Sequence, residues 1–162
     1  AHAPDTIEET TPEAFDWKMT VELRGGFFGA KFAIREMAKG KGGCILFTAS
    51  AAGLRPMQTT APIHAVSKAG LVMMTRMFAV ACGKSNIRVN AVCPGAVDTP
   101  GLQEVRVRNP ERWKVFETLY QQTPLARHMT PDEIAQAGLF LASDMASAIT
   151  GVALAVDGGR TV

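Results

Sequence analysis

Three short apolar runs, each followed at once by small or turn-forming residues, constrain the fold of this chain more than any other feature. They cover residues 44–49, 87–93 and 151–156, and they stop at Ser50, at Pro94-Gly95 and at Asp157. Each run has the length and composition of a buried strand, and the segments between the runs are long and helical in pattern. Strands that alternate with long helices pair in parallel and are covered by helices on both faces. The prediction is therefore a single α/β domain, 1–162, with a parallel sheet.

Helix-start signals place the helices around these strands. Thr11-Pro12-Glu13 is typical of a helix N-terminus, and the first helix should run to about Ala38 with a break near Gly25-Gly26. Thr130 and Glu133 have the spacing of a capping box and open a helix to about Ser143. Residues 96–129 form a long connection with a helical patch around 110–122. Three strands make a small sheet for helices this apolar, so we expect one sheet edge and part of a helical face to be left uncovered.

The central helix, predicted over 64–83, carries two polar side chains at its start. His64 and Lys68 are four residues apart and share one helix face. The rest of the helix is apolar nearly all round, which predicts burial on every side. By spacing alone, both could be ordinary boundary residues. However, ligands of open parallel sheets bind at the carboxyl ends of the strands, and that rule places Ser50, His64 and Lys68 within reach of one another.

Composition excludes several classes of function. The net charge is +2 and the lysines and arginines are scattered, so no nucleic-acid partner is predicted. The three cysteines (Cys44, Cys82 and Cys93) lie inside apolar runs, form no CxxC pair and make no metal-ligand spacing with the histidines. They indicate buried, reduced thiols and a cytoplasmic protein without a metal. We also expect no membrane partner, because no signal peptide and no bilayer-length uncharged apolar run is apparent.

Five motifs in order resemble the short-chain dehydrogenase/reductase family, which has a Rossmann-like parallel sheet with helices on both faces. The motifs are Val21-Glu22-Leu-Arg-Gly, where the family has Val-Asn-Leu-x-Gly; Thr-Ala-Ser50-Ala-Ala-Gly; His64-Ala-Val-Ser-Lys68, where the family has Tyr-x-x-x-Lys; Asn90-Ala-Val-Cys-Pro94-Gly95-Ala-Val97-Asp-Thr99; and Thr150-Gly-Val-Ala-Leu-Ala-Val-Asp157-Gly158-Gly159. The resemblance covers nearly all 162 residues and corresponds to the C-terminal two-thirds of the family's fold.

The resemblance implies an oxidoreductase that uses NAD or NADP to interconvert a carbonyl and an alcohol. It implies three catalytic residues, Ser50, His64 and Lys68. It also implies that the nicotinamide side of the cofactor is bound by Lys68, Pro94, Gly95, Val97 and Thr99. Residues 99–129 would form a substrate-lid-like insertion, in which Trp113 and Phe116 either cover the substrate or simply pack.

Two departures from the family pattern bear on activity. There is no glycine-rich turn leading from a strand into a helix to seat the pyrophosphate. The residues that would bind the adenine side of the cofactor and select NAD or NADP are therefore missing from this sequence. We therefore expect the 162-residue chain alone to be inactive. His64 replaces the tyrosine, and imidazole can transfer a proton near pH 7, although Lys68 beside it disfavours its charged form. A proton donor displaced by roughly 1 Å can cost about 10²-fold in rate.

Alternative functions follow from the same residues. Glu22 stands where the family has asparagine, and it could pair with Lys68. This departure and the replacement of tyrosine by His64 together favour a catalytically impaired binding or scaffold protein. A Ser50–His64 hydrolase ranks last, because the G-x-S-x-G elbow and an acid that orients the histidine are both missing. Asp157 is expected to be structural. The apolar first and central helices predict a homo-oligomer, a dimer or a tetramer, that acts on a small molecule.

Overall fold

The computed structural model describes residues 6–57, 61–121 and 123–162. The first helical segment comprises α1 (Pro12–Met19), a π-helical turn (Thr20–Arg24) and α2 (Gly25–Met37). It is followed by β1 (Gly43–Thr48), α3 (Pro62–Cys82), β2 (Ile87–Pro94), α4 (Pro100–Arg108), α5 (Pro110–Gln121), α6 (Pro131–Ala142) and β3 (Ala153–Val156). Single 3-10 turns follow β1 (Ala51–Gly53), α3 (Gly83–Ser85) and α6 (Asp144–Ala146).

The three strands form one parallel sheet in the order β1-β2-β3, which confirms the predicted fold class. Gly43 pairs with Ile87 at the start of β1, and Ala91 pairs with Ala153 at the start of β3. Among the described residues β1 pairs only with β2, so its outer edge is free as expected. Main-chain groups on such an edge can still accept another strand.

Helices cover both faces of the sheet. A Cβ at Gly26 of α2 would lie 3.6 Å from the Phe47 ring, whereas a Cβ at Gly138 of α6 would lie 3.2 Å from Leu46. Consecutive side chains of a strand point to opposite faces, so α2 and α6 lie on opposite sides of β1. The main core lies between the sheet and α3, where Leu71 and Val72 pack with alternate residues of β2 (Val89, Ala91 and Cys93).

The helix caps and the irregularity in the first helix both agree with the sequence. The Thr11 hydroxyl accepts a hydrogen bond from the Ala14 N–H (3.2 Å), and both bonds of the Thr130–Glu133 capping box are present. The irregular turn is Thr20–Arg24, which ends directly before Gly25, next to the predicted break. A π turn adds one residue to the helical repeat, and here that turn contains Glu22.

The connection between β2 and α6 holds two helices, of which only α5 was predicted. The missed helix α4 begins at Pro100, and the Thr99 hydroxyl caps it by accepting from the Leu102 N–H (3.3 Å). Thr99-Pro100 therefore repeats the signal that located α1 at Thr11-Pro12.

The central helix is buried on one side only, so the expectation of burial all round is wrong. Ser67, Leu71 and Thr75 face the core, but Met77 is 59% exposed and Val80 is 84% exposed. Nothing in the described part of the chain covers that side of α3. Cys44 is also less buried than expected, while Cys82 and Cys93 are buried, and all three cysteines are free.

One helix is long and apolar, although it is not an uncharged run, because it includes Lys68 and Arg76. Pro62–Ser85 is long and apolar enough to cross a membrane by length and composition alone. A core helix passes the same test. This one packs its buried side, including the polar Ser67 and Thr75, against the sheet and its neighbours.

Candidate functional site

The carboxyl ends of the three strands meet at one rim of the sheet. The Ala49 N–H, just after β1, donates to the Val92 carbonyl (2.8 Å), and the Gly95 N–H, just after β2, donates to the Val156 carbonyl (3.1 Å). A Cβ at Gly95 would lie only 2.8 Å from the Cα of Asp157. Glycine at this position therefore lets the end of β2 approach the end of β3.

The Ser50 segment and Lys68 lie together at the end of β1. A Cβ at Gly53, in the turn after Ser50, would lie 2.6 Å from the carbonyl carbon of Lys68. The Lys68 Nζ donates to the carbonyl of Thr48 (3.1 Å), two residues before Ser50. The Ser50 hydroxyl accepts from the Ala52 N–H (3.2 Å), which leaves its own hydrogen free to donate.

A buried thiol, that of Cys93, lies beside the main chain of the serine. Burial raises the pKa of Cys93 to about 11, although a hydrogen bond with the Ser50 backbone opposes that shift. The thiol is therefore protonated at neutral pH and is a poor nucleophile. Its proximity to Ser50 ties the end of β1 to the end of β2.

Glu22 is the centre of a charged cluster beside Lys68. One carboxylate oxygen, Oε1, lies 2.7 Å from the Lys18 Nζ and 3.6 Å from the Lys68 Nζ, while Oε2 accepts a hydrogen bond from the Ser67 hydroxyl (2.5 Å). The charged side chains are only 14–15% exposed. The pairing of Glu22 with Lys68 is thereby confirmed. Lys18 was not predicted, although its spacing of four residues from Glu22 was visible in the sequence.

His64 occupies the first turn of α3, beside this cluster, and it is half-buried. Burial lowers its pKa from the ordinary 6.5, and the positive charges of Lys18 and Lys68 lower it further, against the opposing charge of Glu22. The imidazole is therefore neutral at pH 7.

The same surroundings shift the pKa values of Lys68 and Glu22. Burial also lowers the pKa of Lys68, and the Glu22 charge opposes that shift. Burial would raise the pKa of Glu22, but hydrogen bonds from Lys18 and Ser67 and the charge of Lys68 outweigh it, so the net pKa is below 4.5. Glu22 is thus held as a carboxylate.

On the β2 side of the rim, Val97 presents free main-chain groups. Val97 forms a parallel bridge with Met129, in which the Asp98 N–H donates to the Met129 carbonyl (2.8 Å) and the Met129 N–H donates to the Ala96 carbonyl (2.9 Å). The bridge uses the groups on either side of Val97 and not its own. Within the described residues, the Val97 N–H and C=O have no hydrogen-bond partner.

The remaining polar and aromatic residues near the rim have structural contacts. The buried Asp157 carboxylate accepts from the Gly159 N–H (2.9 Å) and the Thr161 hydroxyl (2.7 Å), which confirms its structural role. The Trp113 and Tyr120 rings of α5 pack on His128, with ring centroids 5.4 and 4.6 Å away. In the described part of the chain, no group of three or more His, Cys, Asp or Glu side chains is arranged to hold a metal.

The sequence matches known reductases over nearly its whole length. A family model described as enoyl-(acyl carrier protein) reductase matches residues 1–161. The chain is 39% identical to an uncharacterized oxidoreductase of Thermotoga maritima, covering 96% of this chain and 61% of that protein. It is 38% identical to the 3-oxoacyl-[acyl-carrier-protein] reductase FabG of the same organism, covering 93% of this chain and 58% of that protein. The chain thus spans about three-fifths of the length of these relatives.

Solved structures share the fold. A short-chain dehydrogenase/reductase family oxidoreductase from Burkholderia thailandensis superposes with a TM-score of 0.89 at 34% identity, covering 99% of this chain and 61% of that one. A 3-oxoacyl-[acyl-carrier protein] reductase with bound NAD from Brucella melitensis gives a TM-score of 0.85 at 29% identity, covering 100% and 56%.

Proposed function

Because the chain belongs to the short-chain dehydrogenase/reductase family, we propose that it forms the substrate and nicotinamide side of an oxidoreductase that interconverts a small alcohol and its carbonyl compound. One observation carries this proposal. The Lys68 ammonium is bound at the end of β1, beside the Ser50 turn, on the helix whose first turn carries His64. A hydroxyl, an imidazole and an ammonium at the rim of a parallel sheet are suited to binding an alcohol oxygen and accepting its proton.

The rim suits the nicotinamide end of a dinucleotide, either NAD or NADP. The Val97 N–H and C=O, which have no hydrogen-bond partner in the part of the chain that the structure describes, complement the carboxamide of the nicotinamide, which has one acceptor and one donor side. The Lys68 ammonium has three N–H groups and can direct one to the ribose, while the Thr99 hydroxyl can donate nearby. Pro94 and Gly95 form the turn that brings these residues to the rim. When bound, the dinucleotide would take or supply the hydride.

Three side chains would handle the substrate. In alcohol oxidation, the Ser50 hydroxyl donates a hydrogen bond to the substrate oxygen and keeps it in place. The neutral His64 ring would accept the O–H proton of the alcohol, and a bound dinucleotide would supply the acceptor for the C–H hydride, which together convert the alcohol to a carbonyl compound. Lys68 stays protonated and stabilises negative charge that develops on the oxygen.

The test uses the natural protein that carries this sequence. Cofactor binding is followed by the fluorescence of NADH and NADPH, and alcohol oxidation is followed with a panel of small secondary alcohols. Ser50→Ala and His64→Gln should each lower kcat by about 10²-fold or more, because each removes a group that acts in the transition state. Cofactor binding should be retained.

Two results would overturn the proposal. One is a natural protein that binds neither dinucleotide. The other is a His64→Tyr variant that is far more active than the natural protein, which would identify His64 as an impairment. Lys39→Met serves as a matched control, because Lys39 pairs with Glu36 on an exposed surface outside the cluster.

We propose further that residues 1–162 act as one domain, in which residues 99–129 cover the substrate. The proposal that residues 99–129 cover the substrate is supported by the position of α4, which begins directly after Thr99 at the rim. Deleting the α4 segment should therefore raise KM more than it alters cofactor binding. We also propose a cytoplasmic location, which is supported by three free thiols, because such thiols persist in reducing compartments.

Self-association as a dimer or tetramer is the partner arrangement that the helical face supports. A groove of about 740 Å³ between α2 and α3 is lined mainly by apolar side chains, and Phe27, Phe28, Met73 and Met77 are 42–59% exposed. Apolar patches of this kind are typical of interfaces. Met77→Glu should shift light-scattering mass towards the monomer, whereas Val107→Glu, an exposed position on α4, should not. A monomeric natural protein would refute this arrangement.

A further inference from the structure

Lys18 and Glu22 lie inside the charged cluster but have no role in the mechanism described above. We propose that both are positioning residues: Lys18 holds the Glu22 carboxylate back from a close ion pair with Lys68, and the three charged side chains together set the electrostatic field at the His64 ring. The inference rests on the proposed function, because it concerns how the same site is set for alcohol oxidation.

The first support is competition for one oxygen atom. Lys18 and Lys68 both approach Glu22 Oε1, and Lys18 is the closer at 2.7 Å against 3.6 Å. A carboxylate without Lys18 would be free to draw Lys68 into a close ion pair. With Lys18 present, the Lys68 ammonium keeps its bond to the Thr48 carbonyl and retains an N–H for a ligand.

The second support is the way Glu22 is tied to α3. Its other oxygen accepts from the hydroxyl of Ser67, which is fully buried and lies between His64 and Lys68 on that helix. The carboxylate is therefore fixed to the helix that carries both functional side chains, through a bond independent of either lysine. A variant that keeps this bond can thus test the charge separately from the packing.

The third support is the charge balance around His64, which lies beside the cluster because the Ser67 hydroxyl that bonds Glu22 is also 2.9 Å from the His64 carbonyl oxygen. Among the described residues, the charged groups that act on its ring are Lys18 from α1, Glu22 from the π turn and Lys68 from its own helix. Two positive charges and one negative charge leave a net positive field, which disfavours a second positive charge on a half-buried imidazole. Lys18 supplies the additional positive charge, and it acts on the His64 ring through space without contacting a substrate.

The experiment is an NMR titration of the histidine Cε1–H signals in the natural protein. Residues 1–162 contain three histidines, and the His64→Gln spectrum assigns the signal of interest. Lys18→Met should raise the pKa of His64, because it removes a positive charge. Glu22→Gln should lower that pKa, because it removes the negative charge while the amide can still accept from Ser67.

Further variants separate this mechanism from a loss of structure. Lys18→Arg keeps the charge and should restore the natural titration, whereas the exposed control Lys39→Met should leave it unchanged. The acid limb of the kcat/KM profile for alcohol oxidation should move in the same directions as the NMR titration. If Lys18→Met does not fold, Glu22→Gln decides the matter, because a His64 pKa that does not fall in that variant would refute the inference.

The outcomes distinguish this inference from the proposed function. If the His64 pKa rises in Lys18→Met and falls in Glu22→Gln but the protein oxidises no alcohol, the result supports this inference and refutes the proposed function. An active protein whose His64 titration is unchanged in both variants, or moves in the same direction in both, would refute the inference and leave the function intact.

Discussion

Asn90→Ala should destabilise the protein, because the Asn90 side chain links the middle of β2 to the turn that starts β3. The side chain is completely buried. Its Nδ2 donates to the Ile149 carbonyl (2.9 Å), and its Oδ1 accepts from the Val152 N–H (3.0 Å). These two bonds set the entry of β3 and hence the approach of its end to Gly95 at the rim.

The expected loss follows from those contacts. Two neutral hydrogen bonds contribute about 1 kcal/mol each, and the two partner groups left without a bond in part-buried places add roughly 1 kcal/mol together. The free energy of unfolding should therefore fall by about 3 kcal/mol. In a domain of this size that corresponds to a decrease in Tm of roughly 6–12 °C.

Urea denaturation followed by circular dichroism, at one protein concentration, measures this loss. Gln103→Ala is the control, because Gln103 makes one exposed hydrogen bond with Asp98 (3.1 Å) and its removal should cost no more than about 0.5 kcal/mol. Asn90→Asp should be worse than Asn90→Ala at pH 7, since it buries a carboxylate and removes the donor. A stability for Asn90→Ala within about 0.5 kcal/mol of the natural protein would refute the reasoning.

Three further predictions concern the rim and the covering helix α6. Gly95→Ala should lower the urea midpoint by an amount equivalent to about 2 kcal/mol, because the added Cβ would lie 2.8 Å from the Asp157 backbone. An unchanged midpoint would contradict the close approach of the ends of β2 and β3. Arg88→Met should lower the free energy of unfolding by about 1.5–3 kcal/mol, measured by thermal unfolding. The reason is that the guanidinium donates to three carbonyls at the C-terminal end of α6 (2.6–3.2 Å). Arg88→Lys should recover only part of that loss. The Arg127 guanidinium and the Thr130 N–H hold the pKa of Glu133 at about 2, below the ordinary 4.5. Stability from the Glu133 charge is therefore present above about pH 4.5 and is lost as the pH falls towards 2. The gap in urea midpoint between the natural protein and Glu133→Gln should narrow over that interval, and a constant gap would show that the pair contributes no charge-dependent stability.

Local patterns in the sequence were sufficient to predict most of the elements. Helix starts depend on a few neighbouring residues, so Thr11-Pro12 and the Thr130–Glu133 box located two of them. The same reasoning should have found α4, because Thr99-Pro100 carries the same signal. Strand positions followed from short apolar runs bounded by turn residues, and the parallel order followed from the long helical segments between them.

The general position of the site was also predictable, since parallel strands present their carboxyl ends at one edge. Ser50 follows directly after β1, and the turn after it packs against the helix that carries Lys68, as that rule requires. The pairing of Glu22 with Lys68 was proposed from the resemblance and is present. The roles of Ser50, His64 and Lys68 in catalysis remain predictions.

By itself, the sequence determined the strands, most of the helices and the edge of the sheet where polar residues gather, because these depend on neighbouring residues and on simple periodicity. Only the tertiary structure decided that Lys18 joins Lys68 beside His64, that Lys18 and Lys68 share one oxygen of Glu22, and that α3 is the helix with an uncovered side. The physical reason is that electrostatic fields and burial depend on distances between groups far apart in the chain, and those distances exist only after the helices have packed on the sheet.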